Sequence, residues 1–78
     1  MEVLQLRDDF IKLGQALKAA GLVDSGVEAK MAILDGQVKV NGQIQVQRGK
    51  KLYDGDVVEF QGASFTVKAP QTSAGDIE

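Results

Sequence analysis

Residues 25–42 constrain the fold of this chain more than any other stretch. Ser25 followed by Glu28 forms a capping box, which predicts that a helix begins there, and Gly36 is placed to end that helix. Beyond the glycine, apolar and polar residues alternate, and Asn41-Gly42 is the dipeptide most typical of a two-residue hairpin turn. The stretch therefore predicts a helix that leads directly into a β-hairpin.

A first helix is predicted upstream of this unit. Either Asp8 or Asp9 is a suitable N-cap, and Gly21 is a suitable left-handed stop. The apolar residues that recur between them at helical spacing are Phe10, Leu13, Leu17 and Ala20. The residues before this helix, 3–6, are expected to form a short strand or a packed arm.

The second half of the chain reads as strands. Ile44 and Val46 are expected on the return strand of the hairpin, Leu52 in the core, and two further strands at 57–60 and 64–67. Pro70 is expected to end the folded part. We therefore predict one domain at 1–69 with a flexible C-terminal tail at 70–78. The predicted fold class is α+β, with two N-terminal helices packed on a small, mostly antiparallel sheet of four to five strands.

Composition excludes several classes of function. The chain has 78 residues, of which 44% are hydrophobic, enough for one small core. It has no apolar run of the roughly 20 residues that span a bilayer, and its start lacks the features of a signal peptide. Cysteine and histidine are both absent, so a thiolate nucleophile, the usual general base and the commonest metal ligand are missing, and only carboxylate chemistry remains open. We expect a cytoplasmic, monomeric binding module that is not an enzyme and uses no cofactor, metal or membrane.

The distribution of charge is more informative than its sum. The formal net charge is −2, but five of the eleven acidic residues lie near the two ends of the chain. Between residues 11 and 68 there are eight basic and six acidic side chains, so the body of the chain is mildly positive. An anionic partner is compatible with this distribution.

The ordered set of motifs resembles the S4 RNA-binding domain family, in particular its small single-domain bacterial members. The matching residues are Lys12-Leu13-Gly14-Gln15-Ala16-Leu17, Gly21-Leu22, Ser25, Ala29, Ile33, the segment 36–42 and Gly55-Asp56. The resemblance covers roughly residues 10 to 60 and implies an S4-like fold with an αL motif. It also implies binding of structured RNA, ribosomal or transfer RNA, through the second helix and the following hairpin.

Two positions depart from the family pattern. Where the family usually carries Arg-Leu-Asp, this chain has Lys12-Leu13-Gly14, which keeps the base and loses the acid. Where the family usually carries Ser-Arg, it has Ser25-Gly26, and glycine cannot grip a phosphate through two hydrogen bonds as arginine does.

Basic and turn residues supply the candidate RNA contacts. They are Lys12, Ser25, Gly26, Lys30, Lys39, Asn41, Arg48, Lys50 and Lys51. Backbone N–H groups near Ser25 are expected to assist at the helix N-terminus. Lys12 and Lys18 are six residues apart on the predicted first helix and so fall on different faces, which predicts that at most one of them joins the site.

Each candidate also has a purely structural interpretation. Ser25 is a helix cap, Asn41 is a turn residue, and surface lysines keep a protein soluble. The basic residues at 47–51 keep an edge strand solvated. We assign Phe10, Phe60 and Phe65 to the core, which leaves Tyr53 as the one spare aromatic and favours recognition of RNA shape over base stacking.

Three functions remain open at this point. The domain is either an RNA binder or a protein-interaction domain with an S4-like fold that has lost RNA affinity. A weaker alternative is a sulfur carrier of the ThiS-like β-grasp type, because residues 40–60 resemble that family. Those proteins need a C-terminal Gly-Gly, whereas this sequence ends Gly75-Asp-Ile-Glu78.

Overall fold

The computed structural model describes residues 2–70, which form two helices and seven strands. The predicted tail at 71–78 lies outside these described residues. In chain order the elements are β1 (Glu2–Gln5), β2 (Phe10–Lys12), α1 (Leu13–Ala19), α2 (Gly26–Leu34), β3 (Val38–Val40), β4 (Gln43–Ile44), β5 (Lys51–Tyr53), β6 (Val57–Phe60) and β7 (Ala63–Lys68).

The main sheet has five strands in the order β1-β7-β6-β3-β4. β1 runs parallel to β7, and the other three pairings are antiparallel. This confirms the predicted α+β class and the mostly antiparallel sheet. A second, two-stranded ribbon pairs β2 with β5 and was not predicted.

The predicted start of the first helix is wrong. Neither Asp8 nor Asp9 caps it, because α1 begins at Leu13 and its N-cap is Lys12, whose backbone is extended (φ −76°, ψ 147°). The residues before it belong to β2, which pairs antiparallel with β5. Ile11 fits a strand as well as a helix, and pairing with a distant strand decides between the two.

The second helix forms where the capping box predicts. The Glu28 N–H donates to Ser25 Oγ at 3.2 Å, while Glu28 Oε1 accepts from the Asp24 N–H at 2.8 Å, one residue earlier than in the standard box. Ala29, Ala32 and Ile33 are buried, as predicted for the apolar face. Both helices end on glycines of positive φ, at Gly21 and Gly36.

The hairpin between β3 and β4 turns through Asn41 (φ 52°) and Gly42 (φ 83°), the left-handed pair that a type I′ turn requires. Val38 and Val40 are buried, and Lys39 between them is exposed, as predicted. The return strand β4 ends at Ile44, so the prediction that places Val46 on that strand is wrong.

One hydrophobic cluster joins the helices to the main sheet and the ribbon. Its largest fully buried side chains are Phe65, Leu13, Leu17, Ile33, Leu52, Val38, Val58 and Val67. The prediction that Leu52 is a core residue is confirmed, and its buried side chain anchors β5 in the hydrophobic cluster. Burying a leucine stabilises a fold by about 1.5–3 kcal/mol, so Leu52 helps to hold the ribbon against the core.

Candidate nucleic-acid interface

The loop before β5 caps the start of α1. The Leu13 N–H donates to the Lys50 carbonyl at 2.8 Å, and the Gly14 N–H donates to the Arg48 carbonyl at 3.1 Å. The first N–H groups of a helix have no partner within the helix, and α1 has no side-chain cap. Backbone carbonyls of the loop replace that cap and hold the basic loop against the helix.

Gly14 permits this close approach. A Cβ at this position would lie 2.9 Å from Arg48 Cγ, closer than carbon atoms normally pack. Glycine therefore allows the Arg48 side chain to cross the first turn of α1. Arg48 is exposed overall, but this packing fixes the position of the first carbons of its side chain.

A depression of about 420 Å³ lies around Gly14, between α1, the start of α2 and the loop. The other residues that line it are Lys12, Gln15, Lys18, Gly26, Arg48 and Gly49. We call it the basic depression, because three of these residues are cationic and none carries a carboxylate. Such a site attracts anions.

Lys18 is a member of this site that the sequence pattern missed. The prediction that at most one of Lys12 and Lys18 joins the site assumed that both belong to one helix. Lys12 instead lies in β2 with an extended backbone, so helical angles do not apply to it. Both side chains line the basic depression.

The N-terminus of α2 opens onto the same depression through Gly26. The cap uses the Glu28 N–H, whereas the N–H groups of Gly26 and Val27 donate to no acceptor in the described part of the chain. No atom lies within 4 Å of a Cβ built on Gly26, so the space beside it is open. Lys30 lies one turn further along the same side of α2.

Other predicted contacts lie elsewhere. Lys51 sits on β5 opposite Lys12, and Lys50 is exposed in the preceding loop. Lys39 lies opposite Glu59 in the main sheet and lines a different depression. It is therefore not part of the basic depression.

The amide of Asn41 is engaged within the protein. Its Nδ2 donates to Asp56 Oδ1 at 3.1 Å, and its Oδ1 accepts from the Val57 N–H at 2.9 Å. These bonds tie the β3–β4 turn to the start of β6. Asn41 is thus a structural residue whose side chain has little hydrogen-bonding capacity left for a ligand.

The ribbon exposes two aromatic rings. The prediction that places Phe10 in the core is wrong: Phe10 is 37% exposed and Tyr53 is 50% exposed, whereas Phe60 and Phe65 are buried as predicted. The ring centroids of Phe10 and Tyr53 are 6.0 Å apart, with a 49° angle between the ring planes. A strand pairing that the sequence did not reveal brings them together.

The outward side of α2 is also apolar. Val27, Met31 and Leu34 follow one another at helical spacing and are 69%, 62% and 59% exposed. Ile44 of β4 is exposed as well and lies near the end of the helix, with its Cγ2 3.7 Å from a Cβ built on Gly36. We call these four exposed residues the apolar strip.

Two kinds of site are not found in the described residues. Within 2–70, no three acidic side chains are grouped so that they could hold a metal ion. Neither helix of that part of the chain is long and apolar enough to cross a membrane.

The fold and its arrangement of helices and hairpin define an S4 domain. The family model for the S4 domain matches residues 4–68, and the chain belongs to that family. The Bacillus subtilis protein named probable ribosome maturation protein RlbA is 43% identical over 65 residues, covering 82% of this chain and 92% of that protein. Escherichia coli YbcJ is 41% identical over 59 residues, covering 76% of this chain and 84% of YbcJ.

The structural comparison agrees with the sequence comparison. The solution structure of YbcJ superposes with a TM-score of 0.69 at 37% sequence identity, and the match covers 88% of this chain and 89% of that one. That structure is described as revealing an αL motif involved in RNA binding. The predicted resemblance to small bacterial S4 proteins is confirmed. The comparisons therefore favour the S4 family over the β-grasp family.

Proposed function

We propose that this protein is a non-catalytic module that binds structured RNA, ribosomal RNA in the first place and transfer RNA as the alternative, as a monomer in the cytoplasm. The observation that carries the proposal is the basic depression, where Lys12, Lys18 and Arg48 converge with no carboxylate among them. Membership of the S4 family and the RNA-binding description of the YbcJ structure support it. The name of the Bacillus subtilis relative favours ribosomal RNA.

In this proposal the RNA backbone docks across the basic depression. Arg48 donates two parallel hydrogen bonds to one phosphate, as a guanidinium group does best. Lys12 and Lys18 neutralise neighbouring phosphates, and the open N–H groups at the start of α2 donate to a further phosphate oxygen. Each neutralised phosphate releases counterions, which is the main source of affinity in such a complex.

The remaining candidates divide by position. Lys30, Lys50 and Lys51 extend the surface on either side of the depression and add to its positive field. Lys39 is left out because Glu59 lies opposite it, and Asn41 is left out because its amide is engaged with Asp56. This mechanism consists of binding alone and includes no catalytic step.

A pair of charge-matched variants tests the proposal. Lys18→Ala combined with Arg48→Ala removes two cations from the depression, while Lys39→Ala combined with Lys68→Ala removes two cations from the main sheet. Binding of a labelled ribosomal RNA hairpin is measured by fluorescence anisotropy at fixed salt. We expect about a tenfold or greater loss of affinity for the first variant and a much smaller loss for the second. Equal losses would mean that only net charge matters and that the depression is not the site.

The apolar strip favours a second candidate function, docking of a protein partner. Exposed apolar residues at helical spacing are typical of helices that pack against another surface. Co-purification before and after ribonuclease treatment separates the two functions. A partner that survives ribonuclease and is lost on Met31→Glu indicates a protein contact, whereas a partner lost with the RNA indicates the RNA-binding function alone.

A further inference from the structure

The outward face of the ribbon carries a two-by-two arrangement of side chains. Phe10 lies opposite Tyr53, and Lys12 lies opposite Lys51. The residue pair between them points toward the core, where Leu52 is fully buried. Strand alternation therefore places two aromatic residues at one end of this face and two lysines at the other, and the Lys51 ammonium group reaches back over the Phe10 ring. We call these four residues the ribbon face.

The aromatic end of the ribbon face has open ring surface. Phe10 contacts Tyr53 in a tilted arrangement, and Lys51 Nζ lies 4.8 Å from the centroid of the Phe10 ring. Half of the Tyr53 residue nevertheless remains accessible to solvent. The cation–π contact holds the ammonium group over the face of Phe10, so a planar group that stacks on the more exposed Tyr53 ring meets a positive charge at its edge.

The basic end of the ribbon face lacks a counter-charge. Lysines directly opposite each other on paired strands repel. In the described part of the chain, neither ammonium group has a hydrogen-bond or ion-pair partner. The nearby carboxylates of Asp54 and Asp56 are engaged, because each accepts a backbone N–H group. An anion between the two lysines would relieve their repulsion.

The surrounding charges favour one orientation of a bound RNA backbone on the ribbon face. Asp8 and Asp9 line a depression beside Phe10 together with Arg7 and one side of Lys12, and the two carboxylates make that side less favourable for a phosphate than the side that faces Lys51. Lys12 belongs both to the ribbon face and to the basic depression. A phosphate held between Lys12 and Lys51 is therefore continuous with the phosphates proposed for the depression.

We propose that the ribbon face holds one unpaired nucleotide of the bound RNA, with its base stacked on Tyr53 beside Phe10 and its phosphate between Lys12 and Lys51. The inference rests on the proposed RNA-binding function and adds a base contact to a surface that otherwise contacts phosphates. It uses two exposed rings, where Tyr53 alone was expected from the sequence to be available. Every base has a π-face, so this contact requires an unstacked base rather than a particular sequence.

The test uses two RNA hairpins that differ by one nucleotide. One carries a single bulged 2-aminopurine, and the other is the same hairpin without the bulge. For the wild-type protein we expect about tenfold tighter binding of the bulged hairpin, with quenching of the 2-aminopurine fluorescence as the base stacks. Tyr53→Val and Phe10→Leu are expected to lose both the preference and the quenching, while Tyr53→Phe, which keeps the ring, retains them.

The outcomes distinguish the ribbon-face site from the proposed RNA-binding function on which it rests. If the wild-type protein binds both hairpins equally and leaves the 2-aminopurine unquenched at saturation, the ribbon-face site is refuted and RNA binding stands. If neither hairpin binds, both proposals fall. Circular dichroism establishes whether each variant is folded. Should a variant fail to fold, quenching in the wild-type protein and its retention in Tyr53→Phe decide the question.

Discussion

Arg48 packs across Gly14 so closely that a Cβ on the glycine would stand 2.9 Å from Arg48 Cγ. The same two residues are joined by the hydrogen bond from the Gly14 N–H to the Arg48 carbonyl. A glycine in the first turn of a helix thus positions a cation of the proposed RNA site. In the proposed RNA-binding mode, this one contact couples the stability of the helix to the affinity for RNA.

The variant Gly14→Ala tests that coupling. Alanine favours a helix by about 0.5–1 kcal/mol over glycine, but here its Cβ displaces the arginine stem. We expect Gly14→Ala to lower RNA affinity in the wild-type background. We also expect it to raise the free energy of unfolding more when Arg48 has been changed to Ala than when Arg48 is present.

Urea denaturation of the wild type, the two single variants and the double variant provides a double-mutant cycle for this pair. The same stability change for Gly14→Ala in both backgrounds would show that the arginine stem does not restrict the glycine.

Restoring the arginine that the family usually carries at position 26 is expected to strengthen RNA binding. The space beside Gly26 is open, and its φ lies outside the left-handed region, so a side chain fits without strain. We expect Gly26→Arg to raise the affinity for an RNA hairpin by about tenfold or more, since a hydrogen bond to a charged group contributes about 1.5–3 kcal/mol.

Gln43→Arg on the exposed strand β4 is the matched control, since it adds the same charge away from the basic depression. An equal gain from Gln43→Arg would attribute the effect to net charge alone.

Salt dependence measures how many phosphates are neutralised. For about four phosphates, we expect the logarithm of the affinity to fall with the logarithm of salt concentration with a slope of roughly −3 to −4. Arg48→Ala is expected to reduce the magnitude of the slope by about one. A filter-binding titration across salt concentrations gives both values, and an affinity independent of salt would contradict the proposed mechanism.

Asn41 is expected to contribute to stability and not to RNA affinity. Asn41→Gly keeps the left-handed turn but removes the bonds to Asp56 and the Val57 N–H. We expect a loss of about 1–3 kcal/mol in the free energy of unfolding, from two hydrogen bonds. Asn41→Ala is expected to lose more, because alanine also resists positive φ. A weaker RNA complex with unchanged stability would instead make Asn41 a contact residue.

Local signals in the sequence were sufficient for α2 and its hairpin. The capping box at Ser25, the glycine stop at Gly36 and the Asn41-Gly42 turn each involve residues close in sequence, so their geometry depends little on the rest of the fold. The alternation that buries Val38 and Val40 is equally local. The helix, β3 and the turn were therefore predicted correctly, whereas the return strand ends two residues earlier than predicted.

The ribbon between β2 and β5 was decided by tertiary structure alone. Phe10 has a helical spacing to Leu13 and Leu17, and nothing nearby in sequence shows that it pairs with Tyr53 instead. Because of this pairing, Lys12 lies in a strand instead of the helix and lines the same depression as Lys18. The same pairing leaves Phe10 exposed.

The amino-acid sequence by itself therefore determined the second helix and the hairpin turn, because short-range hydrogen bonds and backbone preferences specify them, and its ordered motifs identified the family by resemblance. Only the tertiary structure decided which cations converge and which rings are exposed. Those features depend on contacts between segments far apart in the chain, whose free energy no local pattern records.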